Sequence, residues 1–225
     1  MASEKGASDL HGPEHLPWPF RFQRQTESVP TDLGPENGFM PKGSPIESRG
    51  HTITNEAEPW RRHAQQWIRT RGTISASGGH QAQAVALAYL SDSYLLGTIS
   101  RVNHLYRFRG VEATKSASSK PSSADEDSEG ESVERLKEIE GFRDDPDNRN
   151  GRPEVDMTVS LSHSIYFHRP KDVRADQWLY FDMSSPWSGD ERGLAVLRIV
   201  SREGVQLGTC IQEGLVRLTQ SVSKI

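Results

Sequence analysis

The spacing of apolar side chains changes once along the chain. In HQAQAVALAYLSDSYLL, residues 80–96, they fall almost all the way round a 3.6-residue repeat. That spacing predicts a buried helix without a polar stripe. Asp92 interrupts it, on the face shared by Val85, Tyr89 and Leu96. Beyond the middle of the chain the period becomes two. In VSLSHSIYFHR, Val159, Leu161, Ile165 and Phe167 share one face, and Ser160, Ser162, Ser164 and His168 share the other. QWLYFDM, LAVLRIVSR and GVQLGTCIQEGLVRL read as three further strands, with a hairpin turn near Gly204. Upstream of the helix, WRRHAQQWIRTRG (60–72) reads as a strand centred on Trp67 and Ile68, and RVNHLYRF after it as irregular chain. The predicted class is α+β: one strand, one apolar helix, then an antiparallel meander. A curved sheet wrapped around the helix explains its missing polar stripe.

Two stretches lack any period. Residues 1–58 are rich in Pro, Gly, Ser and acids and read as a disordered tail or linker. Residues 114–153 are polar, serine-rich and acidic and read as a disordered insertion, in which VERLKEIE makes at most a transient helical turn. The folded domain is then 59–219, followed by a short tail, 220–225.

Composition agrees with a small core inside a longer chain. Hydrophobic residues are 33% of the 225, below the roughly 45–50% of ordinary globular domains, although that norm counts Gly and omits Tyr. The net charge of -4 argues against a nucleic-acid partner, which calls for a basic excess. The single Cys210 leaves no internal disulfide or multi-cysteine zinc site and suits a reducing compartment. No apolar run reaches the roughly 20 residues of a membrane span, and MASEKGASDLHG has no apolar signal core. The sequence has no phosphate-binding glycine loop, no HExxH and no Gly-x-Ser-x-Gly. No metal or cofactor is expected.

Chemistry must therefore come from polar residues near the core. A buried Asp92 needs hydrogen-bond donors or a raised pKa, and a raised pKa in an apolar pocket makes it a candidate general base; the alternative is a half-exposed aspartate at a helix end. Ser160 and Gln212 are neutral groups able to partner such a carboxylate, although strand serines and glutamines usually face solvent. The alternation sends Ser160 outward with Ser162 and Ser164, so it reaches the helix only if the strand starts late, bulges, or is covered on that face. His163 reads as a core histidine. Ser77, Gly78 and Gly79 form a plausible helix cap whose N–H groups face an anion, and Arg69, with Arg61, Arg62 and Arg71, is either a phosphate contact or part of a solvated strand edge.

The motifs from Ser160 onward, SLSHSIYFHRPKDVRADQWLYFDMSSPWSG and RGLAVLRIVSREGVQLGTCIQEGLVRL, resemble the C-terminal half of the type II acyl-CoA thioesterases. That family shows a Ser or Thr before DHS-aromatic-FH, then RAD-W-L, an SPW-like segment, RG, a DG turn and QEG. QQWIRTRG and HQAQAVALAYLSDSYLL match the same half upstream. The resemblance implies a double hotdog, two sheet-wrapped helices in one chain. It implies hydrolysis of acyl-CoA to fatty acid and CoA by a water held between an Asp, a Ser or Thr, and a Gln. Those positions are Asp92, Ser160 and Gln212. The alternative is a non-catalytic half that binds acyl-CoA or a partner hotdog. The family's Asp in DHS is Ser162 here, which removes one charge near the site. Residues 1–58 do not supply a first hotdog half, so a homodimer or a complementary half is expected. Ser223-Lys224-Ile225 resembles a peroxisomal address, implying an import receptor as partner and the peroxisomal matrix as location, with the cytoplasm as the alternative.

Overall fold

The computed structural model describes residues 29–37, 43–107, 137–140 and 151–219. Six strands form one antiparallel sheet: β1 Ile46–Ile53, β2 His63–Thr70, β3 Val155–Phe167, β4 Leu179–Gly189, β5 Arg192–Val200 and β6 Gln206–Leu218. Their order across the sheet is β1-β2-β4-β5-β6-β3. Among the described residues, α1 Gly79–Asp92 and α2 Gly97–Val102 follow β2 in the chain.

The core forms where the helices meet one face of the sheet. Leu87, Leu90, Tyr94, Leu95 and Ile99 pack on Ile46, Ala64, Ile68, Phe181, Met183, Leu197 and Cys210. Strand alternation supplies this face: Ala64 and Ile68 point to the helices, while His63, Gln65 and Arg69 point away. The helices approach the sheet over bare backbone. Gly193 and Gly214 are register partners on β5 and β6. A Cβ on Gly193 would lie 2.5 Å from the Ile99 side chain, and one on Gly214 would collide with Leu96.

The helix differs from its expected 80–96 span. α1 stops at Asp92, and a tightened turn with i→i−3 bonds, Thr98 N to Leu95 O and Ile99 N to Leu96 O, leads into α2. The stretch read as irregular from Arg101 therefore opens inside a helix. Nor is α1 apolar and buried all round. Val85 is 71% exposed and Tyr89 56%. A curved sheet touches one side of a helix, and this face looks away from it.

Two further corrections concern the segments read as disordered. Residues 46–53, inside the expected tail 1–58, form β1, whose Ile46 is fully buried. Gly50, at φ +61, sits against the Leu33 carbonyl where the register shifts, and this break obscures the strand's alternation. Within the expected insertion 114–153, residues 137–140 form a helical turn and bury Lys137 and Glu140. Charge pairing with Arg101 and Arg107 holds Glu140 there, and composition cannot show such a long-range contact. Residues 153–155 are also ordered, with Val155 opening β3. Finally, β3 pairs with β6 at the sheet edge, so only β4, β5 and β6 make a simple meander.

Candidate active site

α1 ends on Asp92 beside the last two strands of the sheet. Gln212 Nε2 donates to Asp92 Oδ1 at 2.8 Å and to Ser160 Oγ at 3.0 Å. One amide thus joins residues 120 and 52 positions apart in the sequence. Gln212 is 1% exposed, and its Oε1 is buried without a hydrogen-bond partner. Both amide protons are committed, so Gln212 has one rotamer that satisfies both contacts.

Ser160 reaches this cluster through a bulge. On β3, Ser160 pairs with Gly214 and Ser162 with Glu213, which leaves Leu161 as an extra residue. The insertion reverses the alternation. Beyond it His163 and Ile165 face the helices as the period predicts; before it Ser160 does. Val159 and Leu161, expected on the core face, are instead exposed at 43% and 52%.

Asp92 is not buried. Its side chain is 65% exposed, with Gln212 on one side and His163 Nδ1 3.5 Å from Oδ1. The half-exposed helix-end reading of this residue fits the isolated chain, yet it also meets the hydrogen-bonding partners expected of the functional one. His163 Nε2 lies 3.1 Å from Ser91 Oγ and 3.9 Å from Cys210 Sγ. Burial raises the Cys210 thiol, a hydrogen bond with Ser91 opposes this, and the Asp92 charge adds to the rise, so Cys210 stays a neutral neighbour. His163 faces the core as its alternation predicts, and its place opposite Gln212 in the β3–β6 register brings it to the cluster.

The remaining expected contacts lie elsewhere. Gly78 and Gly79 stand at the start of α1, about 20 Å along the helix from Asp92 at 1.5 Å per residue. The preceding turn is capped by Ser75, whose Oγ accepts from Ser77 N at 3.3 Å, rather than by Ser77. Gly79 has φ +57 and open space beside it. Arg69 does not join the cluster. It lies on the opposite sheet face, donates to Glu47 at 2.6 Å and stacks 4.5 Å over Trp178. Ser223, Lys224 and Ile225 lie outside the described residues. Among the described residues no group of His, Cys, Asp and Glu is placed to hold a metal, and no helix is long and apolar enough to cross a membrane.

A six-stranded antiparallel sheet packed over one main helix defines a hotdog fold. The acyl-CoA thioesterase C-terminal domain family model matches residues 14–216, and the chain belongs to that family. Acyl-coenzyme A thioesterase 8 of Mus musculus is 46% identical over 70 residues, covering 31% of this chain and 21% of that protein. Acyl-CoA thioesterase 2 of Haemophilus influenzae is 37% identical over 62 residues, covering 28% and 21%. The chain thus matches about a fifth of the length of these relatives. Among solved structures, acyl-CoA thioesterase II TesB2 from Mycobacterium marinum aligns with a TM-score of 0.52 at 23% identity. That alignment covers 87% of this chain and 56% of the other, and it speaks for the fold alone.

Proposed function

We propose that the chain hydrolyses fatty acyl-CoA to a free fatty acid and CoA, with Asp92 as general base. The observation that carries this reading is the Gln212 amide bonded to Asp92 and Ser160 together. Gln212 holds one carboxylate oxygen of Asp92. The Ser160 hydroxyl accepts from Gln212 and keeps its own proton to donate. A water between Asp92 and Ser160 would give a proton to the acid and be oriented by the hydroxyl, so it attacks a thioester carbonyl without a metal. Backbone N–H groups would receive the oxyanion. Gly78 and Gly79, at the positive end of α1, would lie toward the phosphates of CoA.

The site is open on one side, and a second hotdog unit supplies its natural cover. We read Val85 and Tyr89 on α1, with Val159 and Leu161 on β3, as the surface that such a unit buries, in a second copy or a complementary half. Ser223-Lys224-Ile225 is read as a peroxisomal address, which a fluorescent fusion with and without the tripeptide tests directly.

Asp92→Asn preserves shape and removes the base. The rate of fatty acyl-CoA hydrolysis should fall about 10²-fold or more. Equal turnover by the variant removes Asp92 from the mechanism. Binding of acyl-CoA by the unaltered chain with no turnover, alone or beside a complementary half, would make it a binding module.

A further inference from the structure

Nδ1 of His163 is buried, makes no hydrogen bond, and lies 3.5 Å from Asp92 Oδ1. Its surroundings decide where the ring's proton sits. Ser91, fully buried on α1, donates its hydroxyl proton to Ala88 O at 2.8 Å. Toward His163 it is then an acceptor, so the hydrogen-bond network puts the proton of the neutral ring on Nε2, 3.1 Å away. Nδ1 is left as a bare lone pair facing a carboxylate. Two acceptors at that distance are a poor contact, and one added proton between them makes it a good one.

We propose that His163 is the proton partner of Asp92: it takes up at Nδ1 the proton that Asp92 removes from water. The proposal rests on the thioesterase reading. As the water oxygen bonds to the carbonyl carbon, one O–H bond breaks and its proton goes to Asp92. It passes from Asp92 to Nδ1, leaving an imidazolium beside a carboxylate. In that state Nε2–H donates to Ser91, Ser91 donates to Ala88, and Nδ1–H donates to Asp92, so each contact is satisfied at once. When the tetrahedral intermediate collapses, the C–S electron pair leaves on the CoA sulfur. The proton returns through Asp92 to that thiolate, and the second water proton leaves with the carboxylic acid product. The titratable groups in contact with the ring among the described residues are Asp92 from α1 and Cys210 from β6; Ser91 is neutral. His163 is thus a positioning and proton-holding residue, and Ser91 sets its tautomer.

Two measurements test this, one of which needs no turnover. In the full chain, nitrogen NMR of the His163 ring should show Nδ1 responding to Asp92→Asn and Nε2 responding to Ser91→Ala. In turnover of a fatty acyl-CoA, His163→Gln should lower kcat about 10- to 100-fold with KM within about threefold, and change the shape of the kcat–pH profile. Imidazole added to His163→Ala should restore part of the rate. An Nδ1 signal indifferent to Asp92→Asn overturns the pairing. So does a His163→Gln enzyme that melts earlier but keeps the original kcat and pH profile. Absence of turnover in the unaltered chain counts against the thioesterase reading, and the NMR result still decides the pair.

Discussion

Single side chains in this protein are tuned by what lies behind them in the sheet. His51 on β1 is 4% exposed, and its imidazole is held well below its ordinary value, by burial first and then by the charges of Arg101 and Arg107. Asp182 lies under the opposite sheet face. Burial pushes its carboxyl up, but hydrogen bonds from His63 and Gln65, with the charges of His63 and Arg198, outweigh this and hold it below the usual value. Both shifts act in the same direction. As the pH falls, the unfolded chain takes each proton before the folded one does, so acid destabilises the fold. The His51 contribution is complete above its ordinary value of 6.5 and is lost as the pH falls from there toward its lower folded value; the Asp182 contribution goes only below 3.8. Each pH unit crossed by His51 costs up to about 1.4 kcal/mol. The urea midpoint should therefore drop between about pH 7 and pH 5. His51→Gln should flatten that interval, and a variant curve parallel to the original would assign the acid loss to other groups.

At the scale of elements, the α1–α2 pair is held from both ends. Leu96 and Ile99 rest on Gly214 and Gly193, so the turn between the helices sits close to the sheet and sets the height of Asp92 over Gln212. At the far end of α2, Arg101 is 6% exposed and would be an uncompensated buried charge without Glu140. Its pKa is pulled down to about 10, by burial first and by the nearby Arg107, while Glu140 and Tyr94 oppose the fall. Glu140 also bonds Arg107 through both carboxylate oxygens. One carboxylate from the long acidic segment thus serves two arginines. Glu140→Gln should lower unfolding stability by about 3 kcal/mol, as removal of one partner from a buried pair does. Urea denaturation measures it, and an unchanged midpoint would mean that the 137–140 turn is not docked in solution.

Across the whole molecule, the exposed strand at the end of the sheet is the one that carries the proposed site. β3 stands at the end of the sheet order, with β6 as its one strand partner among the described residues, and most of its residues are exposed. Val85 and Tyr89 on α1, with Val159 and Leu161 on β3, add exposed apolar area. A bare strand edge with apolar neighbours invites pairing. A second hotdog unit docked there would bury more than about 1,000 Å², enough for a specific interface. Sedimentation equilibrium at micromolar concentration should show a dimer, or the chain should be poorly soluble until a complementary half is added. A stable monomer with full thioesterase activity would mean that a single unit builds the whole site.

The sequence by itself carried the strand–helix–strand order, the start of the helix, and the residue types at 92, 160 and 212, because periodicity and motif spacing are local properties. The tertiary structure decided the rest. The bulge at Leu161 turns Ser160 inward and Val159 outward, and it exists only as a register shift against β6. β1 has little local signal and is ordered by the sheet edge; VERLKEIE signals a helical turn at 137–140, but only Arg101 and Arg107 dock it. The pattern left Asp92 either buried or half-exposed at a helix end, and the structure gives the exposed form. Periodicity tells which residues share a helix face, but only the sheet's curvature determines which face it covers.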